Sequence, residues 1–142
     1  MILRVPRIRR AFIATAGLGL LVVLTACGSG TQDDPSERTW QLTQLEGSSL
    51  VEATTIDFTI TDGTVAGTAG CNSYSGAATF DASTGDMTLG PDIISTMMAC
   101  DQPIMDQEQK YLAALMRVTS YQMARDELLL EDSDGVVVAQ FD

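Results

Sequence analysis

From Thr39 onward the apolar residues mostly recur at every second position, the repeat of a strand with one buried face, and a single segment breaks that rule. Trp40 and Leu42 alternate with polar neighbours. Ile56, Phe58 and Ile60 do the same within Thr54–Thr61, and Asp62-Gly63 follows as a tight hairpin signal. Val65, Gly67 and Ala69 continue on the return strand. Tyr74–Phe80 is a further strand, closed by Asp81–Asp86; Met87 and Leu89 begin another, with Pro91 ending it or starting the stretch to Met98. The period then changes. Ile104, Glu108, Tyr111, Leu112 and Leu115 fall on one helical face, with Asp101 as N-cap and Pro103 in the first turn of a helix running to about Arg117. Strands resume at Val118–Met123, Glu127–Glu131 and Val136–Phe141. This mainly β (α+β) pattern predicts a small antiparallel β-barrel or curled sheet of about eight strands, with one late helix packed on it or plugging it.

Ahead of this domain the character of the chain is different. Arg4, Arg7, Arg9 and Arg10 lie within the first ten positions, and the first acidic residue is Asp33. The apolar run Ala11–Leu24 spans about 21 Å as helix, short of the roughly 30 Å hydrocarbon core of a bilayer. A basic start, a short apolar run and small residues at its end read as a secretory signal peptide over residues 1–26. Leu24-Thr25-Ala26-Cys27 resembles a bacterial lipobox, in which the thiol of the cysteine accepts lipid and that cysteine becomes the new N-terminus. The expectation is a membrane anchor on Cys27, a polar tether to residue 37, and a domain over 38–142 held on the extracytoplasmic side of the cell membrane or outer membrane.

Charge and composition exclude several chemistries. There is no histidine, so a histidine triad, a histidine-ligated zinc site and imidazole pH sensing are ruled out. Beyond residue 26 only Arg38, Lys110, Arg117 and Arg125 oppose all 19 acids, a side-chain balance of −15. Such a surface makes a poor partner for nucleic acid and is repelled by anionic lipid headgroups, leaving attachment to the acyl chains. Asp81–Asp86 has the start of a calcium loop but fails its spacing at Gly85, and Asp132-Ser133-Asp134-Gly135 reads first as a hairpin turn; no metal and no cofactor are expected. A serine or threonine nucleophile would need the only lysine, Lys110, as its base, so no enzymatic activity and no catalytic residue are expected.

Three cysteines in an exported chain leave one odd thiol. With Cys27 lipidated, Cys71 and Cys100 remain as a pair in an oxidising compartment, closing about 30 residues for about 3.5 kcal/mol; two buried free thiols are the competing reading.

Gly67-Thr68-Ala69-Gly70-Cys71-Asn72-Ser73-Tyr74-Ser75-Gly76 resembles the G-x-x-G-C-N-x-Y-x-G core of the META domain, the HslJ-like bacterial family. Ser95–Cys100 resembles its second block, T-x-M-A-C, followed by a helix with Glu108, Tyr111 and Leu115. Trp40 and Leu42 match the opening W-x-L, and Leu128–Gly135 the closing L-x-L-x-D-x-x-G. The resemblance covers about residues 38–141. It implies a small antiparallel barrel with one helix, often lipid-anchored or periplasmic, with links to heat shock and antibiotic tolerance and no implied enzymatic activity.

Within these blocks the glycines, Asn72 and the cysteines suit a structural role around a bulged turn; the functional alternative is a binding rim of Asn72, Ser73 and Tyr74. Met87, Met97, Met98, Met105, Met116 and Met123 read first as core filling, and otherwise as the lining of an adaptable pocket. The favoured function is a non-enzymatic envelope lipoprotein that binds a protein partner. The alternative is a carrier or sensor of a small apolar ligand, which a cavity of at least about 300 Å³ would support.

Overall fold

The computed structural model describes residues 33–36 and 38–142; the expected signal peptide, Cys27 and most of the tether lie outside the described residues. Among the described residues nine strands and one helix follow in the order β1 (Trp40–Leu45), β2 (Ser48–Ser49), β3 (Asp57–Thr61), β4 (Thr64–Thr68), β5 (Ser73–Asp81), β6 (Asp86–Ser95), α1 (Gln102–Leu115), β7 (Ser120–Ala124), β8 (Glu127–Glu131) and β9 (Val137–Phe141). All pairings are antiparallel. The sheet runs β2-β1-β3-β4-β5-β6-β7-β8-β9 and curls until β1 meets β9, so that the strands form a ring. Leu42 lies opposite Phe141, and Gln41 and Asp142 exchange backbone hydrogen bonds of 2.8 and 3.0 Å.

Alternation places the large side chains inside. Trp40, Phe58, Tyr121 and Phe141 are fully buried, and the Phe58 and Phe141 rings lie 5.2 Å apart. Each phenylalanine buried in this way contributes about 1.5–3 kcal/mol. The Trp40 indole N–H finds its acceptor in the Pro35 carbonyl at 2.9 Å, which satisfies a buried donor and seats the start of the domain. The helix turns Gln107, Glu108, Tyr111, Ala114 and Leu115 inward, and Tyr111 reaches between Tyr74 and Phe141.

Three details differ from the expectation. First, β2 is an added strand: Glu46 and Gly47 take left-handed conformations (φ 49° and 74°), and Ser48 folds back against Leu45. Both serines are exposed, so no alternation announced them. Second, β6 passes through Pro91. Leu89 faces Ala78 and Ile93 faces Gly76, so the Gly90–Asp92 bulge holds the proline where no ladder N–H is required. Third, Asp101 occupies the N-cap position without a side-chain cap bond; its carbonyl accepts from Ile104 and Met105 instead, and the helix ends at Leu115.

The ring is uneven. The β6–β7 pairing is confined to Asp86 and Ser120, supported by bonds from Met87 N–H to the Thr119 carbonyl and from Tyr121 N–H to the Gly85 carbonyl. The chain from Thr88 to Ser95 has β5 on one side and, among the described residues, no strand on the other.

Candidate functional site

The blocks that stand out in the sequence converge on one clasp. Gly70 enters it with φ 106°, and a side chain there would also meet Ile104 and Ile56. A Cβ at Gly67 would overlap the Asp57 carbonyl oxygen. These glycines let the β4–β5 turn approach α1 and β3 closely. Cys71 and Cys100 are joined as a disulfide with their Cα atoms 6.1 Å apart, linking this turn to the segment that leads into the helix.

Asn72 is the centre. Its Oδ1 accepts from Met98 N–H (2.7 Å) and from the Thr96 hydroxyl (2.8 Å), while its Nδ2 donates to the Met98 carbonyl (3.2 Å) and to Glu108 Oε1 (2.7 Å). Every hydrogen-bonding position of the amide is thus engaged. Glu108 is buried and takes three donors: Asn72 Nδ2, and on Oε2 the N–H groups of Asn72 (2.7 Å) and Cys71 (3.3 Å). Among the described residues the ion pairs are Arg38–Asp126 and Arg117–Glu46, so the Glu108 carboxylate is held by amide dipoles rather than a cation.

One step along β5, Tyr74 donates to the Asp57 carbonyl at 2.9 Å, and its hydroxyl lies 2.7 Å from that of Tyr111. Burial pushes the Tyr111 hydroxyl well above the ordinary phenol range, with Tyr74 and Asp57 adding to the shift. Burial raises Tyr74 too; the Tyr111 hydrogen bond draws it back in part, and the Asp57 charge raises it. These phenols stay protonated at neutral pH and pack with their polar tips hydrogen-bonded to each other and to the Asp57 carbonyl.

The proposed rim of Asn72, Ser73 and Tyr74 therefore needs correction: Asn72 and Tyr74 are 2% and 3% exposed, and only Ser73 faces solvent. Successive residues on an extended chain point to opposite faces, so three in a row cannot share one rim. The methionines are redistributed as well. Met87 is core, but Met97, Met98 and Met116 are 97%, 59% and 48% exposed, and the set neither fills the core nor lines a common pocket. A second helix contact is one that periodicity does not announce: buried Gln107 accepts from Val51 N–H (2.6 Å) and donates to the Thr54 hydroxyl (3.0 Å), tying the β2–β3 loop to α1. Its signal was a polar Gln107-Glu108 pair on an otherwise apolar helix face.

The Asp81–Asp86 turn engages its own carboxylates, with Asp81 accepting from Ser83 and Asp86 from Thr84. No three acidic or thiol groups converge as a metal site among the described residues, and no helix among them is long and apolar enough to cross a membrane. Among the described residues, depressions larger than 300 Å³ are open to solvent. One, of about 310 Å³, lies between the β1–β2 hairpin and α1 beside Glu46, Gln107 and Lys110; another, of about 610 Å³, lies between the second half of β6 and the last turns of α1.

A ring-like antiparallel sheet clasped to a single helix by an asparagine, a buried glutamate and a disulfide defines a small β-rich domain class. The chain belongs to the META domain family, which it matches over residues 33–142. Its fold is similar to that of a protein from Burkholderia xenovorans solved by NMR, at 20% identity over 97% of each chain and a TM-score of 0.58. A second NMR structure is 14% identical and covers 78% of this chain and 95% of its own, with a TM-score of 0.61. No curated protein matches the chain.

Proposed function

We propose that this META-domain chain is a non-enzymatic envelope lipoprotein, anchored through Cys27, that binds a protein partner in envelope stress or antibiotic tolerance. The observation that supports binding over chemistry is the way polar groups are used. Asn72, Glu108, Tyr74 and Tyr111 spend their hydrogen bonds on one another and on backbone, while apolar Ile94, Met97, Met98 and Met116 stand in solvent. The clasp fixes the Thr96–Met98 backbone, so Met97 is presented on an ordered platform. An ordered exposed apolar surface marks a contact for another macromolecule, and methionine adapts to varied partners. The apolar-ligand alternative draws less support, because the depressions of about 310 and 610 Å³ are open to solvent rather than enclosed and the methionines do not converge.

A photo-crosslinking residue at Met97 in intact cells tests this. A discrete adduct absent from a Ser133 control supports the reading; no adduct at Met97 overturns it. Wild-type protein should incorporate labelled palmitate and Cys27→Ser should not. Equal labelling of both would remove the anchor from the proposal.

A further inference from the structure

Resting on the reading that the domain acts through a protein partner, we propose that the groove between β6 and α1 receives an extended peptide segment of that partner, basic and apolar in alternation, as an added strand. Asp92, Ile93 and Ile94 form one wall, and Leu112 and Met116 the other, around a volume of about 610 Å³. Among the described residues the β6 wall is a strand edge with no strand on its outer side, because the β6–β7 pairing is confined to Asp86–Ser120. Such an edge offers main-chain groups to an incoming extended chain, with side-chain pockets supplying selectivity. The groove follows Pro91 to Ile94, enough for about four residues at roughly 3.3 Å each.

The surface around the groove is apolar. Ile94 is 69% exposed, Met116 48%, and Met97 and Met98 extend the same quality beyond the end of β6. Charge selects the flanks. Beyond residue 26 the chain carries −15, Arg38 and Arg117 are already paired with Asp126 and Glu46, and exposed Asp92 lines the groove itself. A partner strand alternating aliphatic with lysine or arginine residues buries its apolar side against Ile94 and Met116 and meets this field with the other.

The test uses the full lipidated chain in zwitterionic nanodiscs, with empty nanodiscs as blank, and three fluorescent peptides followed by anisotropy. One alternates Val with Lys, one alternates Val with Glu, and one is the Lys peptide with two central prolines that remove N–H donors. Binding of the Lys peptide at least tenfold tighter than the other two, and weakened about tenfold by Ile94→Ser and severalfold by Asp92→Asn, supports the proposal. Both positions are exposed, and unchanged melting temperatures confirm that the variants fold. Equal binding of the Lys and Glu peptides, no binding of any, or indifference to Ile94→Ser overturns it. So does a concentration-dependent dimer that Ile94→Ser dissolves, since a second copy then occupies the groove. If the peptide test fails while the Met97 adduct persists in cells, the strand-addition idea falls and the partner-binding reading stands; loss of both removes both.

Discussion

Glu108→Gln, a change of one oxygen to an amide nitrogen, should unfold this domain far more readily than its size suggests. The carboxylate faces donors only: Asn72 Nδ2 on Oε1, and the Asn72 and Cys71 N–H groups on Oε2. A glutamine must turn its own NH2 toward one side. Placed at Oε2 it opposes two backbone donors that cannot rotate. Placed at Oε1 it opposes the Asn72 amide, and flipping that amide only moves the conflict to Met98 N–H, which Oδ1 now accepts. One buried donor is left opposed in every arrangement, at about 1–3 kcal/mol, and charge-assisted bonds weaken to neutral ones. Neutralising the buried carboxylate returns some desolvation energy, but the opposed donors dominate because the backbone cannot relax around them. The net expectation is about 2–4 kcal/mol, a fall of about 10 °C or more in melting temperature for a domain of this size. Thermal melts by circular dichroism at pH 7, with the disulfide intact by mass, measure it against exposed Asp92→Asn, which should stay within about 0.5 kcal/mol of wild type. A Glu108→Gln protein melting within 3 °C of wild type would refute the clasp as a source of stability.

Three further outcomes follow from the same geometry. Cys71→Ser should lower the melting temperature by more than about ten degrees, since the bridge to Cys100 is worth about 3.5 kcal/mol, and non-reducing peptide mapping of wild type should show that single pair. Tyr74 and Tyr111 have raised pKa values when folded, so the folded state keeps protons that the unfolded chain releases above about pH 10; their stabilisation is complete below that pH and is lost as pH rises, and urea melts should show a falling slope that Tyr74→Phe and Tyr111→Phe flatten. Gly67→Ala should cost about 1–3 kcal/mol or more by denaturant melts, because its Cβ overlaps the Asp57 carbonyl, while Gly135→Ala, which meets open space and bears only the backbone strain of its left-handed φ of 75°, should cost about 1 kcal/mol.

Period-two alternation was legible in several strands that bury one face: Trp40 and Leu42, Phe58 and Ile60, Val65, and Met87 and Leu89 are all buried. The hairpin at Asp62-Gly63 was readable because both residues adopt left-handed backbone, φ 50° and 73°. Strand β2 was not, since two exposed serines carry no pattern and form a strand only because the Glu46-Gly47 turn brings them back onto β1. The partners of Asn72 were equally hidden. Glu108 is 36 residues away and Met98 26, and no local rule connects an asparagine in a turn with a glutamate on a later helix. The family blocks marked the right residues, yet their placement on an exposed rim ignored the alternation that had served elsewhere.

Pairing of β1 with β9 joins the first and last described strands of the domain, bringing Gln41 against Asp142. A contact of such high sequence separation must overcome the loop-closure entropy of nearly the whole domain before it returns any stabilisation. Ring closure is accordingly expected to be a late event in folding, and until it occurs the edges of β1 and β9 are both open to other chains. This makes the interval before closure the most aggregation-exposed stage of folding, and the closing strand Val137–Phe141 the place where a small change in β propensity would alter the yield of folded protein most.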